Sequence, residues 1–72
     1  MSTRLESFLK SHGIKPAHLA RESGVSRQFL VRVRMGRAEP TRPVMNAILG
    51  ACRRLSREHV QAVELFVLED ES

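Results

Sequence analysis

The stretch Leu19-Ala20-Arg21-Glu22-Ser23-Gly24-Val25-Ser26-Arg27-Gln28-Phe29-Leu30 decides how the chain is read. Leu19 and Ala20 belong to the inward side of a helix that starts at Pro16, where proline loses only an N–H that had no intrahelical partner. Gly24 stops that helix by taking a positive φ. Ser26 is then the cap of a third helix, residues 26–35, whose Leu30 and Val33 face inward and which Gly36 ends. Ile14 with Leu19, and Val25 with Leu30, repeat the spacing of a hydrophobic staple at the two helix starts. Only Gly24, Val25 and the cap Ser26 separate the two helices, a helix, short glycine-containing turn and helix.

Working outward, Thr3 and Glu6 have capping-box spacing for a first helix that buries Leu5, Phe8 and Leu9 and stops at Gly13. Beyond Glu39-Pro40, Thr41 caps a fourth helix with Pro43 in its first turn and an apolar stripe of Val44, Met45, Ile48, Leu49 and Cys52. Ser56 is expected to cap a fifth, running to about Glu69 and broadly apolar through Val60, Val63, Leu65, Phe66, Val67 and Leu68. No stretch alternates as a strand does. The expectation is an all-α, compact five-helix fold, with residues 1–72 as a single domain.

Charge is unevenly spread. Residues 1–57 hold all twelve Lys and Arg against three acids, a balance of +9, while residues 58–72 hold five acids and no base, −5. A basic body with an acidic end suits a polyanionic partner, nucleic acid above all. The single cysteine excludes an internal disulfide, and His12, His18 and His59 lack metal-ligand spacing, so no metal or other cofactor is expected. No apolar run has transmembrane length and no signal-peptide core is evident, so the expected location is the cytoplasm, in association with the nucleoid. No nucleophile–base arrangement or glycine-rich phosphate loop suggests catalysis, and Cys52 reads as core.

At about 100° per residue, Leu30 and Val33 centre the buried side of the third helix, which turns Gln28, Val31, Arg32 and Met35 outward with Arg27 at the edge. Met35 is expected to cover the Gly36 loop, and Phe29 to be core, although it could contact a thymine methyl from the flank.

Residues 14–55 resemble the lambda-repressor-like, Cro-type helix-turn-helix family, also called the xenobiotic-response-element family. The matching residues are Leu19-Ala20, Gly24-Val25-Ser26, Leu30, Arg32-Val33, Gly36 and Pro40-Thr41. The resemblance implies a sequence-specific regulator of double-stranded DNA, acting as a dimeric and often self-regulating repressor in a bacterial, phage or mobile-element setting. It implies that Arg27, Gln28 and Arg32 read bases, Arg through guanine and Gln through adenine, and Val31 suits a thymine methyl. Ser26, Lys15, Arg37, Arg42 and Arg34 would meet phosphates. The family often has a polar cap and then Gln where this chain has Lys15 and Pro16, an acid at Arg34 and an apolar residue at Arg42.

Val63, Phe66 and Val67 are the expected homodimer surface. Two third helices would then lie one DNA turn, roughly 34 Å, apart on a near-palindromic operator. No membrane or small-molecule ligand is expected. The competing reading is an antitoxin or adaptor-type protein-interaction module, motivated by the apolar fifth helix. RNA binding is less favoured, since three Phe and no Tyr or Trp offer few stacking platforms.

Overall fold

The computed structural model describes residues 3–66. They form five helices, α1 (Arg4–His12), α2 (Pro16–Ser23), α3 (Arg27–Arg34), α4 (Arg42–Ser56) and α5 (Ala62–Leu65), with no strand among the described residues. The radius of gyration is 11.0 Å, against roughly 11 Å for a packed chain of this length, so the helices are assembled economically. None of them is long and apolar enough to cross a membrane.

Helix ends follow local chemistry. Gly13 and Gly24 close α1 and α2 in the left-handed conformation, at φ 66° and 75°. Pro16 opens α2 and Pro43 lies in the first turn of α4. α2 packs chiefly on α4 and on α3, and α5 lies against α1 and α4. The core gathers Leu5, Phe8 and Leu9 from α1, Leu19 and Ala20 from α2, Leu30 and Val33 from α3, and Ile48, Ala51 and Cys52 from α4. Val44, Met45 and Leu49, expected on the inner stripe of α4, are partly buried at its border. Burial pushes the Cys52 thiol up to about 11, so it stays protonated and unreactive.

The expected capping box of α1 forms by half. Thr3 Oγ1 accepts from the Glu6 amide at 3.1 Å, but the Glu6 carboxylate turns away and accepts from Arg34 Nε at 2.7 Å. Thr3 Oγ1 in turn donates to the Arg34 carbonyl at 2.7 Å. A tertiary ion pair has displaced a local cap, because a guanidinium offers a carboxylate more than a single amide does. The pair ties the start of α1 to the end of α3.

The fifth helix departs most from expectation. Ser56 does not cap it but ends α4, and its hydroxyl accepts from the Glu58 amide. Arg57 closes α4 at φ 61°, the one described non-glycine residue in the left-handed region. Val60 is buried from the following loop, which Arg53 Nε secures by donating to the Val60 carbonyl at 2.8 Å. α5 is a single turn with its own Gln61–Glu64 capping box. Residues 67–69 of the expected helix lie outside the described residues.

His12, at the end of α1, stacks on Phe8 with ring centroids 4.0 Å apart. Its Nδ1 lies 3.0 Å from the Phe8 carbonyl and 3.2 Å from Ser11 Oγ, and its Nε2 lies 3.1 Å from Glu58 Oε1. A neutral imidazole has one N–H and can satisfy either the carbonyl or the carboxylate; the imidazolium satisfies both. The Phe8 carbonyl, then Glu58, with a smaller contribution from Glu64, accordingly raise the His12 pKa above 6.5.

Two outcomes follow. Glu6→Gln should lower stability by about 1 kcal/mol, the difference between a charge-assisted and a neutral hydrogen bond, read from urea unfolding; an unchanged midpoint would show the charge of the pair to be idle. A histidine whose folded pKa is raised adds stability that is complete below its unfolded value and is lost as pH rises through the folded one. The difference in urea midpoint between wild type and His12→Ala should therefore be largest below 6.5 and shrink at alkaline pH; a pH-independent difference would refute the imidazolium.

Candidate functional site

α3 is where the sequence-predicted residues converge. Leu30 and Val33 enter the core, and this fixes which side of the helix faces out. Ser26 caps the helix start by accepting from the Phe29 amide at 3.2 Å. The amides of Arg27 and Gln28 precede any intrahelical acceptor, so they remain directed out of the helix end.

On the outer side, Arg27, Gln28, Val31 and Arg32 are all exposed. Ser26, Gln28, Phe29, Val31 and Arg32 together line a shallow, open depression. Phe29 is partly buried and packs on the core from the floor of this feature, so it serves both surfaces. Its position on the helix wheel, between the buried and outward sides, is the signal for that dual role. Met35 is 53% exposed. Beyond its two chain neighbours, the atom nearest to where a Gly36 Cβ would stand is the Thr3 methyl, at 3.5 Å.

The basic residues divide into two sets. Arg4 donates to the Val63 carbonyl, Arg53 to the Val60 carbonyl, Arg34 to Glu6, and Arg54 to both the carboxylate and the carbonyl of Glu22. Arg4, Arg34 and Arg54 join distant parts of the chain, and Arg53 secures the loop that follows its own helix. Arg27, Arg32, Arg37, Arg42 and Lys15 have no carboxylate partner among the described residues, nor do Lys10, Arg21 and Arg57, and all eight are exposed. Arg37 lies just past the end of α3, its amide donating to the Arg32 carbonyl at 2.7 Å. Arg42 opens α4, and Lys15 is the cap residue of α2.

Arg34 is therefore corrected as a phosphate-contact candidate. Its side chain is 18% exposed and held by Glu6, itself 15% exposed, so its charge is already matched. Its position four residues after Leu30 placed it near the inner edge of the helix, a signal that charge counting overlooks. The Arg34 pair holds the Glu6 carboxyl below its usual value.

The expected dimer residues separate. Phe66 is corrected, because it is buried in the core beside Leu65 and offers little surface to a second protomer. Val63 is 46% exposed. Val67 lies outside the described residues. Among the described residues, Val31, Met35 and Val63 are the exposed large apolar side chains. Compared with models of protein families, with characterised proteins and with solved structures, the chain matches none.

Proposed function

We propose that the chain is a lambda-repressor-like helix-turn-helix domain that binds double-stranded DNA, with α3 in the major groove. The observation that carries this reading is the division of the arginines. Those that pack the domain are paired, while Arg27 and Arg32 stand unpaired on the outer side of a helix whose inner side is anchored. An exposed cation opposite a buried helix face suits a polyanion, since binding releases the counterions condensed on it.

Roles follow from position. Arg27, Gln28 and Arg32 read base edges, with Arg matched to guanine and Gln to adenine. Ser26 and the amides at the start of α3 receive a phosphate. Arg37, Arg42 and Lys15 supply further backbone contacts that orient the domain without reading sequence. Occupancy of an operator is enough to block transcription, so the reading extends to a repressor in a bacterial, phage or mobile-element operon, acting in the cytoplasm on its own promoter.

A dimer completes the proposal. Val63 is its contact among the described residues, and two copies would place their α3 helices about one DNA turn, roughly 34 Å, apart. The competing adaptor or antitoxin reading drew on a broadly apolar fifth helix. Core burial of Val60, Leu65 and Phe66 leaves Val63 as the one large apolar side chain exposed near α5 among the described residues, which weakens that motive.

Footprinting on DNA upstream of the chain's own gene tests the reading; absence of protection at moderate salt would sink it. Arg32→Ala should lose about 1–3 kcal/mol of discrimination at one or two base pairs. Arg42→Ala should weaken specific and random DNA alike and lower the salt slope by about 1. Identical behaviour of the two variants on both kinds of DNA would overturn the sorting of contacts. Sedimentation should give a dimer that Val63→Glu dissociates, and a wild-type monomer on operator DNA would remove the dimer from the proposal.

A further inference from the structure

Exposed large apolar side chains are few among the described residues, yet two of the three stand one turn apart, Val31 on the outer side of α3 and Met35 at its C-cap. At about 100° per residue they fall between Arg27 on one side and Gln28 and Arg32 on the other. Val31 also lines the depression with Gln28 and Arg32. The outer side of α3 is thus an apolar strip with a guanidinium along each margin. Such a strip gains nothing from phosphates and little from water. Flanking cations with no carboxylate partner make it complementary to an apolar group set within a polyanion.

In the major groove that description fits the 5-methyl group of a pyrimidine, the one apolar group that base edges present there. We infer that Val31 and Met35 read a 5-methylpyrimidine and that Arg32 takes the O6 and N7 acceptors of a neighbouring guanine. The inference rests on the DNA-binding reading and adds to it a requirement about the site: recognition depends on a methyl group beside a guanine. Thymine and 5-methylcytosine present the same methyl, so they are the two sources to be distinguished.

The test begins with the full chain selecting duplexes from a random pool, followed by affinity measurements on the enriched site. Replacing the critical thymine by deoxyuridine removes only the methyl and should weaken binding about three- to five-fold, the effect of burying one such group. The Val31→Ala/Met35→Ala chain, altered only at exposed positions, should bind the thymine and deoxyuridine sites equally. Placing cytosine or 5-methylcytosine at that step identifies the source. A gain of similar size on methylation shows that any 5-methylpyrimidine serves, and no gain restricts the reading to thymine.

Equal wild-type affinity for thymine and deoxyuridine at every position would overturn the inference and leave the DNA-binding reading standing. Persistent sensitivity in the doubly substituted chain would overturn the assignment to Val31 and Met35. Failure to enrich any duplex would overturn both readings.

Discussion

Burial of Leu30 and Val33 is the constraint on which the rest of α3 depends. A helix of eight residues is too short to hold itself in water, because nucleation costs more than so few hydrogen bonds return. α3 exists because those two side chains leave solvent and because both of its ends are held. Ser26 satisfies an orphan amide at the start, and Thr3 and Glu6 grip Arg34 near the finish. The same contacts that stabilise the helix set its rotation. With rotation fixed, the identity of the outward residues follows, and Gln28, Val31 and Arg32 share one depression as a result of core packing.

The arrangement assigns different work to chemically identical side chains. Arg34 and Arg54 cross-link distant parts of the domain through carboxylates, and Arg53 fastens the loop after α4 through a carbonyl. Arg27, Arg32, Arg37 and Arg42 meet none among the described residues. The positive balance of residues 1–57 is therefore not a uniform coat. The ion pairs of Arg34 and Arg54 use two of the three acids already counted in that balance, and the unmatched cations include those on the outer side of α3.

The first four helices were legible because their signals are local. Gly13, Gly24 and Gly36 adopt positive φ, and Pro16 and Pro43 occupy first turns, as residue chemistry alone requires. The inward pairs of α2 and α3 followed from helical period. The C-terminal region was not legible for equally physical reasons. Arg57 takes a left-handed conformation that no residue type announces, and Val60, Leu65 and Phe66 reach the core from a loop, a single turn and an extended residue. Apolar density there was real, but the helix expected from Ser56 begins only at Ala62 and gives way at Phe66. Arg34 was read as a phosphate contact because its partner Glu6 lies 28 residues away, and only the fold brings the two together.

The buried cysteine has a practical consequence. Cys52 is the chain's one thiol, is fully enclosed by the core and stays protonated. In the folded protein it is shielded from electrophiles, so a cysteine introduced on the outer side of α3 would be the accessible attachment point for a fluorophore or spin label. The native residue need not be replaced for such work, and replacing it with something smaller would open a void among Ile48, Ala51 and their neighbours. The same enclosure gives a reporter of folding: labelling at Cys52 counts the molecules that have opened, while labelling at the surface counts them all.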